Sequence, residues 1–275
     1  MVRIENIIGR FPKIARAVDS FLPEEIKTQL RRYLLHETFP MPEPFIREIH
    51  GIRAKFWIRN PSDFYRIARD GFEDGFAEEL IDCINPGDIF LDIGSAQGFY
   101  SILAAKAGAE VYSIDPDRLS YQSIKDNIAL NAELAGRISV LEIALGDTCG
   151  TMALNYDEKG TYASSLRRTA KALTKRTIVE IVPLDKLIEE RKIKPPNVIK
   201  IDVEGAEGLV LKGMEGLLKS NQRPQHLFIE IHEQFLPQFG TSAVQVLQYI
   251  QDLGFVPFDG LVRHREKQLC HYVLL

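Results

Sequence analysis

Two short stretches carry residues whose types and spacing could do chemistry. The first is Leu91-Asp92-Ile93-Gly94-Ser95-Ala96-Gln97-Gly98, an apolar run that ends in an acid and two glycines. Gly94 lets the backbone turn tightly and leaves no Cβ in the way of a ligand. A helix opening near Gly98 offers free N–H groups and a positive dipole end, suited to a carboxylate. The dinucleotide fingerprint Gly-x-Gly-x-x-Gly needs a middle glycine, and this chain has Ala96 there. It also has Asp92 two positions before the first glycine. An acid there repels a pyrophosphate and suits the amino group of a zwitterionic amino acid, directly or through water. Both departures favour S-adenosylmethionine over a dinucleotide.

The second stretch is Val198-Ile199-Lys200-Ile201-Asp202-Val203-Glu204-Gly205-Ala206-Glu207. Asp202 ends an apolar strand, and Glu204 and Glu207 open the helix expected after it. Three carboxylates at that place face the mouth where substrate and cofactor meet. Helix capping and dipole stabilisation also account for Glu204 and Glu207. Lys200 lies inside the apolar strand, so it must pair with an acid or snorkel to the edge.

These groups need elements to hold them. Strands are expected over 89–92, 110–115, 138–144, 198–202 and 227–231. Helices are expected over 98–107, 117–131, 204–219 and 242–253, and another precedes the first strand, with Phe76, Leu80, Ile81 and Ile84 on one side. The helix over 117–131 has Leu119, Tyr121, Ile124 and Ile128 as its inner face. Phe255 to Phe258 and Leu269 to Leu275 close the chain as a strand pair, with the last strand antiparallel at or near an edge. Strand–helix alternation implies a parallel sheet with helices on both faces. The fold expected is α/β, a Rossmann-like seven-stranded sheet of the class I methyltransferase type, mostly parallel. Ligands in such sheets bind outside the carboxyl ends of the strands.

That topology supplies further contacts. Asp115, followed by Pro116, ends the second strand and can accept both ribose hydroxyls, or cap the next helix, a role Asp117 fits better. Ala144, at the end of the third strand, walls the adenine; Asp147 beside it flanks the adenine or is a turn acid. The cofactor-binding set expected is therefore Asp92, Gly94, Ser95, Ala96, Gly98, Asp115, Pro116 and Ala144.

Residues 1–70 read as a helical N-terminal extension with a short extended segment, and 71–275 as the methyltransferase domain. Pro23-Glu24-Glu25 starts a helix with Ile26, Leu30, Tyr33 and Leu34 on one face, and Pro40, Pro42 and Pro44 form a linker. Between Gly146 and Ile181 the alternation breaks in a polar insertion. Ser164 and Ser165 there either cover the site or belong to a surface loop. Arg167, Arg168, Lys171, Lys175 and Arg176 either attract an acidic substrate or form a solvated face.

Composition narrows the classes. The chain has 275 residues, 45% hydrophobic and 26% charged, the balance of a soluble globular protein. Its net charge of -4 argues against a general nucleic-acid binder. Cys83, Cys149 and Cys270 lie far apart, which speaks for free thiols against a disulfide framework or zinc site. No signal peptide or run of about 20 apolar residues is evident, so a cytoplasmic location without a membrane span is expected. The helical N-terminus is a candidate homodimer surface.

The chain resembles the FkbM family of methyltransferases. The resemblance rests on Phe90 to Gly98, Ile114-Asp115-Pro116, Ala144 to Asp147, Ala163 to Leu166, Val182 to Asp185, Ile199 to Glu207 and Ile229-Glu230-Ile231-His232. It covers roughly residues 71–260. Ala96 stands where the family commonly has Asn, and Asp115 where it commonly has Glu. The resemblance implies O-methylation of a hydroxyl on a sugar, glycan or small natural product. An alcohol is a poor nucleophile, so a base or a metal must help remove its proton. Asp202 is the first candidate, with Glu230 and His232 on one side of the fifth strand next, and Glu204 beside them; the other reading of His232, the favoured one, is a structural histidine hydrogen-bonded to a loop. A divalent metal held by Asp202, Glu204 and Glu230, such as magnesium, is the less favoured route. The rival readings are a nicotinamide-dependent oxidoreductase and a non-catalytic S-adenosylmethionine-binding module.

Overall fold

The computed structural model describes residues 43–60, 63–68, 74–156, 175–258 and 269–274. The helix expected after Pro23, Ser164 and Ser165, and Arg167, Arg168 and Lys171 of the basic run lie outside the described residues.

Seven strands form one sheet: β3 (Ile89–Ile93), β4 (Glu110–Ile114), β5 (Ile138–Leu141), β9 (Val198–Ile201), β10 (His226–Glu230), β11 (Phe255–Pro257) and β12 (Leu269–Leu274). Their order is β11-β12-β10-β9-β3-β4-β5. The pairs β10–β9, β9–β3, β3–β4 and β4–β5 are parallel. Strand β12 runs antiparallel between β10 and β11, one place in from the edge. This is the Rossmann-like arrangement of class I methyltransferases.

Among the described residues five further strands lie outside it: β1 (Phe45–Ile49), β2 (Ile52–Phe56), β6 (Ala144–Leu145), β7 (Gly150–Tyr156) and β8 (Lys175–Val182). The α-helices among the described residues are α1 (Asp74–Asp82), α2 (Phe99–Ala107), α3 (Arg118–Leu130), α4 (Leu184–Glu189), α5 (Glu207–Lys212), α6 (Glu215–Lys219) and α7 (Ala243–Asp252).

Strands buried on both faces read as unbroken apolar runs. Strand β9 has all four residues buried, and its one charge, Lys200, faces Asp92 directly across the β3–β9 ladder. One apolar cluster on the first face takes Phe76 and Leu80 from α1, Ile102 and Leu103 from α2, and Phe228 from β10. The other face gathers Leu91, Ile199, Val210, Leu227 and Ile250.

Three elements differ from the expected pattern. The single strand expected over 138–144 divides: β5 stays in the main sheet, while Ala144 and Leu145 leave it to pair with β8 in a three-stranded sheet with β7. The helix expected over 204–219 divides too. Glu204 has φ 56° and Gly205 φ 109°, so both lie in a left-handed turn before α5. At the α5–α6 junction a Cβ on Gly213 would fall 1.9 Å from the Gly146 carbonyl oxygen. That close approach of the insertion breaks the helix.

The third difference is the inner face of α3. Ser120, Ser123, Ile124 and Asn127 are buried there, whereas Leu119 is 45% exposed. The buried amides hold the β1–β2 hairpin. Asn127 Oδ1 accepts from Trp57 N at 2.8 Å and its Nδ2 donates to the Gln97 carbonyl at 2.9 Å. Asn131 bonds both Lys55 N and Lys55 O. Hairpin residues Ile49, Ala54 and Phe56 enter the first apolar cluster, though they precede the boundary expected at residue 70.

Candidate active site

Strand β3 delivers its C-terminal end to a sharp turn. Gly94, Ala96 and Gly98 all have positive φ, at 78°, 47° and 79°. Glycine adopts that region without strain. Gly94 is constrained further, because a Cβ there would lie 1.8 Å from the Asp202 carbonyl oxygen. A Cβ on Gly98 would lie 2.3 Å from Ile124. The loop thus presents bare backbone at the sheet's carboxyl end and runs into the start of α2.

Under this loop is a buried polar row. Ser113, Asp92 and Lys200 stand side by side on β4, β3 and β9. Ser101 Oγ donates to Asp92 Oδ2 at 2.6 Å and lies 3.0 Å from Ser113 Oγ. Lys200 Nζ lies 3.3 Å from Asp92 Oδ1, 3.3 Å from the Gly94 carbonyl and 3.6 Å from Asp202 Oδ2. Lys200 is therefore paired within the core. Asp92 is fully buried, with both oxygens engaged, so it acts on the loop and on Lys200.

Asp115 ties the next strand to the same loop. Its Oδ2 accepts from Ala96 N at 2.8 Å and its Oδ1 from Asp117 N at 2.9 Å. Burial pushes its carboxyl up to about 7, against the pull of those two N–H bonds. Asp117 caps α3 through Leu119 N at 3.0 Å. Gly94, Ala96, Asp115, Pro116, Ala144, Asp202 and Glu204 line one open cleft, with Arg66 and Leu154 as walls not foreseen from sequence. Ser95 is buried beside the loop, and its Oγ has no hydrogen-bond partner among the described residues. Bare backbone, a helix start and an acid at the end of β4 suit an amino-acid carboxylate and a ribose diol.

The second half of the site stands at the ends of β9 and β10. His232 Nδ1 lies 2.7 Å from Glu207 Oε1, which also accepts from Gly205 N at 3.0 Å. Glu207 is fully buried. A carboxylate only accepts, so the His232 ring must carry its proton on Nδ1. Its Nε2 then points toward Glu230 at 3.6 Å, Asp202 at 3.9 Å and Glu204 at 4.0 Å. Burial lowers the His232 pKa, but the Glu207 bond and the charges of Asp202, Glu230 and Glu204 outweigh it and bring the ring up to about 9. The structure thus brings Asp202, Glu204, Glu230 and His232 together and adds Glu207. Sequence had not distinguished Glu207 from a capping acid. The spacing of Glu230 and His232 at the end of one strand was the available signal.

The methyltransferase FkbM domain matches this chain over residues 92–257, more than half of its length. The chain belongs to the FkbM methyltransferase family. The match begins at Asp92 and extends past His232. The chain is 26% identical to the hexuronic acid methyltransferase AglP of Haloferax volcanii over 74% of this chain and 81% of that protein. It is 25% identical to the 31-O-demethyl-FK506 methyltransferase FkbM of Streptomyces tacrolimicus over 48% of this chain and 61% of that one. A crystal structure of an FkbM methyltransferase from Methylobacillus flagellatus is 16% identical with a TM-score of 0.46, covering 72% of this chain and half of its own. Methyltransferases of this family depend on S-adenosylmethionine. Among the described residues no helix is long and apolar enough to cross a membrane.

Proposed function

We propose that this FkbM-family chain transfers a methyl group to a hydroxyl of a sugar, glycan or small natural product, with His232 as the general base. The observation that carries this reading is the Glu207–His232 pair. A fully buried carboxylate fixes one ring nitrogen and leaves the other facing the acids beside the cleft. A base held this way by a third group is the arrangement proton abstraction from a hydroxyl needs.

Bound in the cleft, S-adenosylmethionine supplies an activated methyl group. The chain's own residues do the rest. Gly94 and Ala96 give backbone at the loop, and Asp115 offers a carboxylate to the ribose hydroxyls. Asp202, Glu204 and Glu230 accept hydrogen bonds from a polyhydroxylated acceptor. His232 Nε2 would take the hydroxyl proton as the acceptor oxygen bonds the methyl carbon and that carbon leaves its sulfur. The proton then rests on a ring whose charge Glu207, Asp202 and Glu230 stabilise. A relative named for acting on a hexuronic acid supports a sugar-type acceptor, and one named for acting on 31-O-demethyl-FK506 supports oxygen as the methylated atom.

A second reading has one specific observation in its favour. Asp202, Glu230 and His232 offer ligand atoms within 4.8 Å of one another, which suits a divalent cation better than the three carboxylates expected from sequence. Chelation separates the two: base catalysis by His232 survives EDTA, and metal-assisted transfer does not. The assay for the main reading is incubation with methyl-labelled S-adenosylmethionine and a panel of uronic acids, glycans and small alcohols. An O-methyl product supports it. Cofactor binding with no product from any hydroxyl counts against it and favours a binding module.

A further inference from the structure

A second cluster of donors lies at the opposite end of the sheet, away from the cleft. His226 begins β10, His271 sits in β12 directly across from Phe228, and Cys83 follows the last turn of α1. We propose that Cys83, His226 and His271 form a binding site for a zinc-class metal ion, stapling α1 to strands β10 and β12. The proposal is independent of the methyl-transfer reading.

The three ligand atoms all lie within 4.8 Å of one another. His226 Nδ1 is 3.0 Å from His271 Nε2, and Cys83 Sγ is 4.0 Å from the same nitrogen. Tetrahedral zinc at its usual bond lengths sets N···N near about 3.3 Å and N···S near about 3.6 Å. One pair must open and the other close by less than half an ångström. Thiolate and imidazole donors select zinc-like ions over magnesium.

The ring that joins the other two donors is already oriented. His271 Nδ1 lies 2.7 Å from Glu79 Oε1. The carboxylate only accepts, so Nδ1 carries the proton and the Nε2 lone pair faces Cys83 and His226. This carboxylate–histidine pairing is the outer-shell support that metal-binding histidines use. His271 is also clamped, stacked on Phe228 with 4.0 Å between ring centroids and held by Phe258 at 4.6 Å. On binding, the Cys83 thiol gives its proton to solvent, and His226 moves its proton from Nδ1 to Nε2. One dication, one thiolate and the Glu79 carboxylate then sum to zero, so the half-buried cluster carries no net charge. Three protein ligands leave a fourth position for water.

The test uses the full chain, stripped of metal by chelation and titrated with cobalt(II) and zinc(II). The expected result is one equivalent of cobalt with a sulfur-to-metal charge-transfer absorption, and a rise in Tm on adding zinc. Cys83→Ser should abolish that absorption, and His226→Gln should weaken zinc binding at least tenfold. Cys149→Ser should change neither, which assigns the band to Cys83 and not to the exposed thiol. His226→Gln is half-buried and answers the question even if Cys83→Ser does not fold. Absence of the charge-transfer band in the wild-type chain, or a band retained in Cys83→Ser, would overturn the proposal. So would equal zinc affinity in His226→Gln, and the cluster would then be a hydrogen-bonded relay from Glu79 through His271 to His226.

Discussion

Glu207 and His232 are 25 residues apart in sequence and are joined by a 2.7 Å hydrogen bond whose carboxylate is sealed from solvent. The bond fixes which nitrogen of the ring faces Glu230, Asp202 and Glu204. Replacing Glu207 with Gln keeps the shape and removes the charge. Turnover at high pH should fall about tenfold or more, since a base must be held in register with its proton donor. Affinity for S-adenosylmethionine, measured by calorimetry, should stay the same. Unchanged turnover in Glu207→Gln would remove the pair from the mechanism.

The raised pKa of His232 sets a pH dependence. A base must be neutral to accept a proton, and this ring is up at about 9 against an ordinary 6.5. Turnover should therefore climb with pH and level off above about 9. In Glu207→Gln the inflection should move down, because the hydrogen bond that favours the charged ring is lost. For stability the sign is opposite. The contribution of His232 is fully present below 6.5 and is lost as pH rises through about 9. A rate profile flat from pH 7 to 10 would contradict the assignment.

Asp115 gives a second titration at the other end of the cleft. Burial holds its folded pKa near about 7, above the ordinary 3.8. Its contribution to stability is thus present below 3.8 and is lost as pH rises through about 7. Ribose hydroxyls need the ionised carboxylate as acceptor. Affinity for S-adenosylmethionine should rise between pH 6 and pH 8 in the native chain, and Asp115→Asn should bind weakly and without that dependence. Titration calorimetry at the two pH values decides it.

The buried pair of Asp92 and Lys200 answers to stability. Lys200→Met leaves the Asp92 charge in the core with Ser101 as its remaining side-chain partner. The expected loss is about 3–5 kcal/mol in urea denaturation, the usual cost of breaking one side of a buried pair. Asp92→Asn combined with Lys200→Met should recover part of it. A loss within about 0.5 kcal/mol for the single variant would mean that the pair does not hold the loop.

Much of this was legible in the sequence because the signal was local. The apolar runs at 89–92 and 198–202 and the glycines at 94 and 98 mark strand, turn and helix start by residue type alone. Lys200 inside an apolar run had to pair with an acid or snorkel to the edge, and Asp92 pairs with it across the ladder. What sequence did not show depends on tertiary contacts. The helix after Asp202 breaks because Gly213 meets the Gly146 carbonyl. The strand after Ile138 divides because Ala144 finds a new partner in β8. The face of α3 turns polar because Asn127 and Asn131 serve the backbone of a distant hairpin. Glu207 reads as a helix-start acid until its partner His232, just past the end of β10, is seen. Likewise Cys83, His226 and His271 have no spacing that suggests a ligand set, since three separate elements bring them together.

The account rests most directly on His232 as the base beside the cofactor cleft. The measurement is the single-turnover rate of methyl transfer from labelled S-adenosylmethionine to an accepted hydroxyl at pH 9, in the native chain and in His232→Gln. Saturating cofactor should be verified by calorimetry in both. The variant should bind S-adenosylmethionine as the native chain does and transfer methyl about 10²- to 10⁴-fold more slowly. Equal rates with equal cofactor binding would contradict it and leave Asp202 or a metal ion to remove the proton.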